Sequence, residues 1–184
     1  MLKCLAGLER PTLGQIEASV SGLRRAVYVG RNSASLNGRS VRHRVHDEVA
    51  RHLPGKRGHD VEVATNAILG ALDLHGVSRT RDRDLSGGEV YRFALAMALA
   101  QGCSSPSPPV LLLDGFFDKS DTRRGQTIAV RYGVEFALFD LQRKMGVMLV
   151  FTSHSYRIVM ELAKQVVELT KGRVTEVHIY IIST

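Results

Sequence analysis

A chain of 184 residues, 44% hydrophobic and 23% charged, has the apolar content of one globular domain with a real core. No apolar run approaches the roughly eighteen residues of a membrane-spanning helix and the N-terminus lacks a signal-peptide pattern, so work at a membrane would need a partner to supply the membrane part. The net charge of +7 is concentrated between Arg31 and Arg57, but no aromatic residue is interleaved there for base stacking, so the segment reads as a solvated face or a surface for an acidic partner loop rather than as a nucleic-acid patch.

Residues 1–8 predict a short helix, with Leu2, Leu5, Ala6 and Leu8 apolar and Gly7 and Pro11 as stops. Cys4 lies in this run and Cys103 far from it, with no metal spacing, which suits buried free thiols in a reducing compartment. Thr12-Leu13-Gly14 is a turn, and residues 15–20 alternate as a short strand. Ala26-Val27-Tyr28-Val29 is a second apolar strand, ending at Gly30-Arg31. Residues 41–53 predict a basic amphipathic helix with Val45, Val49 and Leu53 on one face. The loop Pro54-Gly55-Lys56-Arg57-Gly58 contains a Gly-Lys pair, but Ala50 replaces the first glycine of G-x-x-x-x-G-K-[ST] and Arg57 follows the lysine. No other stretch matches that phosphate-loop pattern. Residues 60–74 predict a helix with Val61, Ala64, Ile68, Ala71 and Leu72 inward.

The informative stretch is Asp84-Leu85-Ser86-Gly87-Gly88-Glu89, which opens a helix through Val90, Phe93, Ala94, Ala96, Met97, Ala98 and Ala100. A helix N-terminus presents unpaired N–H groups and the positive dipole end, and small residues let a phosphate approach them. After a Pro/Ser link at 104–109, Val110-Leu111-Leu112-Leu113 predicts a buried strand delivering Asp114 at its carboxyl end, where α/β folds hold nucleotide-bound Mg²⁺. Residues 127–145 predict a long helix with Val130, Val134, Ala137, Leu138 and Leu141 inward. Residues 147–152 form an apolar strand of the kind buried in parallel sheets, and His154 leaves its end before a helix through Ile158, Val159 and Leu162. Residues 166–169, a Lys171-Gly172 turn and residues 173–182 predict a closing hairpin. Alternating strands and helices predict an α/β fold with a largely parallel sheet.

These motifs together resemble the ATP-binding-cassette (ABC) ATPases over nearly the whole chain. Leu85, Ser86, Gly87, Gly88 and Glu89 are similar to the LSGGQ signature with Gln changed to Glu, and Arg92-Phe93-Ala94-Leu95-Ala96 to the RVALA that follows it. Leu112-Leu113-Asp114 resembles the Walker B strand, Ser120-Asp121 the D-loop, and His154 the switch histidine. The opening, Leu2 to Gly14, is similar to the helix and turn just after the Walker A lysine of importer-type members. The resemblance implies a P-loop NTPase-like fold whose helical and signature subdomain covers about residues 38–103, within a single domain spanning 1–184.

It also implies ATP and Mg²⁺ as cofactors, a head-to-tail dimer with a second ABC ATPase subunit, identical or different, and a transmembrane transporter subunit as partner. The protein would then be cytoplasmic and peripheral at the inner face of a membrane. Ser86, Gly87 and Gly88 would cap the γ-phosphate of a nucleotide held by the partner. Asp114 would hold Mg²⁺ through water, His154 would contact the γ-phosphate, and Asp121 would couple the two sites. Three departures bear on activity. No phosphate loop is present, Arg31 stands where the Q-loop glutamine belongs and has no acceptor for a metal, and Gly115 stands where a glutamate orients the attacking water. Asp118, three residues on, is a loop aspartate that could reach the site only through water.

The strand feeding the phosphate loop is expected inside the sheet beside the Walker B strand. Its absence predicts an apolar slot there, and a truncated copy or incomplete reading frame with Met1 an internal methionine. The chain as written is expected to hydrolyse ATP poorly or not at all. The leading reading is the ATP-binding subunit of an ABC transporter. A catalytically inactive partner lending LSGGE to an active subunit, and a soluble ABC ATPase of translation or DNA repair, are the alternatives.

Overall fold

The computed structural model describes residues 1–17, 26–30, 35–53, 55, 57–103, 108–115, 128–153, 156–171 and 173–179. It divides into two compact units, Met1–Thr152 and Ser153–Thr184. The first contains α1 (Leu2–Leu5), β1 (Ala26–Val29), α2 (Val41–His52), α3 (Gly58–Ala71), α4 (Gly87–Gly102), β2 (Val110–Leu113), α5 (Ile128–Met145) and β3 (Met148–Phe151). The second contains α6 (Tyr156–Leu162) and the antiparallel hairpin of β4 (Gln165–Thr170) and β5 (Arg173–Ile179). The predicted α/β architecture with a parallel sheet is the one observed.

Strands β1, β2 and β3 lie side by side in that order, all parallel. β2 is the centre: Leu111, Leu112 and Leu113 have no solvent exposure. Burial on both faces explains why this strand is a continuous aliphatic run rather than an alternating one. Each such leucine stabilises the fold by about 1.5–3 kcal/mol relative to an exposed one. Both edges of β2 are paired, so the slot expected beside the Walker B-like strand is not there. Among the described residues the sheet instead ends at β3, which is only half-buried and exposes Met148. An end strand has one neighbour and less cover, which corrects the expectation of a fully buried strand. Residues 15–17 form no strand, because no partner strand lies beside them among the described residues, and Gln15 and Glu17 bond to each other instead. Residues 18–20 and 180–182, also predicted as strand, lie outside the described residues.

The helices α2, α3 and α4 pack together. Helix α4 is apolar on nearly every face, with Phe93, Leu95, Ala96 and Ala100 unexposed, as a helix surrounded by other elements must be. It touches α2, α3, α5 and β1. On α2 the stripe Val41, Val45 and Val49 recurs every fourth residue and is fully buried, while Ser40 caps its N-terminus.

An unpredicted polar hub ties this layer together. Asp82 is fully buried and accepts hydrogen bonds from the backbone N–H of Asn37 (3.1 Å) and Gly38 (2.7 Å) and from Arg44 Nη1 (2.6 Å). Arg44 Nη1 also donates to the Ser35 carbonyl (2.7 Å), and its guanidinium stacks 5.6 Å from the Phe93 ring centroid. Burial alone would raise the Asp82 pKa, but the two backbone donors and Arg44 more than offset it and hold the carboxyl below the usual aspartate value.

Among the described residues, four arginines of the basic segment are paired within the chain. Arg39 pairs with Asp47 (3.3 Å), Arg42 with Glu62, Arg44 with Asp82 and Arg51 with Glu48. Cys4 and Cys103 are free but half-buried rather than buried. No described helix is long and apolar enough to cross a membrane.

Removing the Asp82 charge should cost much of the stability. Asp82→Ala is expected to lower the unfolding free energy by about 3–5 kcal/mol, since Arg44 loses its buried partner; Leu112→Ala is expected to cost about 2–5 kcal/mol. Urea denaturation reads both. Because the folded-state carboxyl titrates below the unfolded one, the wild-type advantage from Asp82 is present above the ordinary aspartate pKa of about 4. It should disappear as pH falls through the lower folded value, and a wild type that keeps its margin over Asp82→Ala at low pH would contradict this account.

Candidate functional site

The parallel register aligns Val29, Leu113 and Phe151, so the residues that follow them, Gly30, Asp114 and Thr152, lie side by side at the carboxyl edge of the sheet. The Asp114 N–H donates to the Val29 carbonyl (3.0 Å) and the Thr152 N–H to the Leu113 carbonyl (3.2 Å), extending the ladder one residue past the strands. The carboxylate is held by two hydroxyls. Tyr28 Oη donates to Oδ2 at 2.8 Å, and Thr152 Oγ1 donates to Oδ1 at 3.4 Å. Thr152 Oγ1 in turn accepts from the Gly115 N–H at 3.3 Å. Burial first, and then the hydrogen bond to and charge of Asp114, push the Tyr28 phenol up to about 12, so it stays a donor at any physiological pH.

A carboxylate offers about four lone-pair positions, and these hydroxyls occupy two. The remaining ones can accept from metal-bound water, so the residues present fit a water-mediated Mg²⁺ site with Asp114 as its anchor. Gly115, next in sequence, adopts φ +63°, a left-handed conformation that glycine enters freely and β-carbon residues enter at a cost. The backbone here therefore suits glycine better than the glutamate that the resemblance places at this position.

The signature stretch forms the start of α4. Ser86 is the N-cap, with extended backbone, and it makes a capping box with Glu89. The Glu89 carboxylate accepts from the Ser86 N–H at 2.7 Å and from the Ser86 hydroxyl at 2.6 Å. These two hydrogen bonds hold its pKa below the usual glutamate value. Ser86 and Gly87 are exposed, Gly88 is buried, and Leu85 is half-buried. Among the described residues, Arg92 Nε is a buried donor without a hydrogen-bond partner, while Arg92 Nη1 lies 3.7 Å from Asp73.

The structure thus gathers Asp114 with Tyr28 and Thr152, and presents Ser86, Gly87 and Glu89 at a helix start. Arg31, Asp121 and His154 lie outside the described residues, as do Asp118 and Ser120. Sequence reasoning misses Tyr28 as the partner of Asp114, although one signal is available: Tyr28 and Gly30 stand two apart on a strand and so share a face.

A parallel sheet delivering a carboxylate at its carboxyl edge, with α4 opening on Leu-Ser-Gly-Gly and packed against β1, is the arrangement of the P-loop NTPase fold. No family model matches the chain. A sulfate/thiosulfate import ATP-binding protein CysA from Chlorella vulgaris is 31% identical over 189 residues, covering 96% of this chain and 72% of that protein. The counterpart from Mesostigma viride is 30% identical over 186 residues, covering 96% of this chain. Apart from the Chlorella vulgaris protein, the chain spans about half the length or less of these relatives, 49% in the Mesostigma viride case. Among solved structures, an inward-facing metal-chelate type ABC transporter matches with a TM-score of 0.73 at 25% identity, over 95% of this chain and 65% of that one. The chain belongs to the family of ATP-binding subunits of ABC transporters.

Two substitutions test the local account. Glu89→Gln keeps an acceptor but removes the charge at the helix start; the part of wild-type stability due to the capping box is complete above the ordinary glutamate pKa and is lost as pH falls through the lower folded one. The variant's thermal stability should therefore show less acid dependence than wild type. At the strand end, Gly115→Glu should destabilise by about 1–2 kcal/mol, and Gly115→Asn by less, because asparagine tolerates the left-handed region. Equal losses in a denaturation series would show that backbone conformation is not the cause.

Proposed function

We propose that the chain is the ATP-binding subunit of an ABC importer, coupling nucleotide binding and hydrolysis to transport through a membrane-embedded partner subunit, with an impaired hydrolytic site. The observation that carries this reading is the alignment of Gly30, Asp114 and Thr152 at the carboxyl edge of a parallel sheet, in a chain whose relatives over 96% of its length are import ATP-binding proteins. Residues 1–184 are read as one ABC ATPase domain, with residues 38–103 as its helical and signature portion. Its place is the cytoplasmic face of a membrane, held there by the partner.

Within that reading, two ATPase subunits meet head to tail. The Ser86 hydroxyl and the N–H groups of Gly87 and Gly88 cap the terminal phosphate of the nucleotide held mainly by the opposite subunit. Asp114 holds the water shell of Mg²⁺, Tyr28 and Thr152 hold Asp114, and Asp121 links the two sites. Bound Mg²⁺ supplies neutralisation of the charge that develops on the transferring phosphoryl group. His154 contacts the terminal phosphate, and Arg31 occupies the position of the partner-sensing glutamine without a metal-ligating atom. Phosphoryl transfer depends on positioning and electrostatics, so a site with Gly115 beside Asp114 retains the binding geometry of its signature better than its hydrolytic power.

The test is expression of the tagged chain in its native cells, followed by membrane fractionation and ATPase assay of the isolated complex. Retention on membranes, release by alkaline carbonate, and loss of the complex's ATPase in Ser86→Ala with assembly intact are expected. A chain that stays in the supernatant and binds no membrane subunit would overturn the transporter reading.

A further inference from the structure

Tyr28, Gly30 and Asp114 form a unit whose consequence for ion affinity goes beyond the proposed function. Tyr28 stands opposite Leu112 in the register, one strand over and two residues short of Asp114. Residues two apart on a strand share a face, about 6.6 Å apart along it, so the phenol reaches Asp114 only by lying along the strand toward the carboxyl edge. Its path crosses Gly30. A Cβ on Gly30 would sit 2.9 Å from Tyr28 Cε1, closer than real Cβ contacts come, and 3.1 Å from its hydroxyl, tighter than most of them. The ring can therefore take this course only because residue 30 has no side chain, and its hydroxyl then meets Asp114 Oδ2 at 2.8 Å.

From this geometry we infer that Tyr28 is the positioning residue of the metal-side carboxylate, with Gly30 as the space that permits it. The inference rests on the reading of Asp114 as the Mg²⁺ anchor. Asp114 sits one residue past the end of β2, where an unrestrained carboxylate turns freely about its own side-chain bonds. Tyr28 on one oxygen and Thr152 on the other fix the plane of the carboxylate, leaving the remaining lone pairs in one orientation. Groups that orient a metal's carboxylate in this way set affinity for the ion without touching it.

The full chain, labelled with carbon-13, supplies the test, with Mn²⁺ alone as the probe and paramagnetic broadening of the Asp114 carboxylate resonance as the readout. Asp114→Asn identifies that resonance. Tyr28→Phe should require about ten-fold more Mn²⁺ for half-broadening while the backbone spectrum stays that of the folded chain. Gly30→Ala should give a similar loss, and the double variant no further one, since both changes break the same hydrogen bond. If Tyr28→Phe leaves the midpoint where it is in wild type, the ring merely packs and the inference is wrong. Should the wild-type resonance show no broadening at Mn²⁺ concentrations that broaden exposed carboxylates, Asp114 is not a metal anchor, and that result removes the underlying reading together with the role given to Tyr28.

Discussion

The buried strand Val110–Leu113 is the constraint on which the rest of the first unit depends. It is paired on both edges in parallel register, and its three leucines have no exposure, so it has no freedom to slide. A slip by one residue would turn every side chain of a strand to the opposite face. With the register set by this burial, the chain directions alone bring Gly30, Asp114 and Thr152 to one edge. A polar group placed there can be reached by hydroxyls from both neighbouring strands, and Asp114 is. The gathering of groups at this edge is thus a consequence of how the core excludes water, not a separate device added to it.

The helical layer has its own fixed point, of opposite chemistry. Asp82 gathers the N–H groups of Asn37 and Gly38 and the guanidinium of Arg44 in a place with no solvent. A buried charge is tolerable only when paired and fully hydrogen-bonded, and a hub of this kind leaves little choice in how its members sit. Asp82 lies three residues before Leu85, and the segment it grips begins at Asn37, six residues after Arg31. The approach to the signature and the stretch that follows β1 are therefore held by one carboxylate. That is a physical link between two motifs which the sequence presents as separate.

The departures from the family's motifs, Glu89 and Gly115, each have a local physical account. Glu89 places an anion at the start of α4, where the helix dipole and Ser86 both stabilise it. The same anion occupies the Ser86 hydroxyl, the group that would meet a phosphate. At the sheet edge, Gly115 carries neither a carboxylate nor a conformation that a β-carbon residue takes easily. Both features leave the scaffold intact, and they lie in different parts of the fold.

The amino-acid sequence by itself determines much of this protein. Apolar spacing marks α2, α3, α4, β2 and the closing hairpin, because helices and strands that bury one face must repeat at fixed periods, and Leu-Ser-Gly-Gly with Leu-Leu-Leu-Asp marks the family. Neighbour relations are not legible there. That both edges of β2 are taken, that β3 ends the described sheet, and that residues 15–17 form no strand depend on which strands pair, a choice made by long-range burial rather than by local pattern. The roles of Tyr28 and Asp82 escape for the same reason. A tyrosine in an apolar strand and an aspartate in a charged turn look ordinary in sequence. Only the packed structure decides which donors reach an aspartate, since the residues concerned, 86 positions apart for Tyr28 and Asp114 and 38 for Arg44 and Asp82, meet through the core and not along the chain.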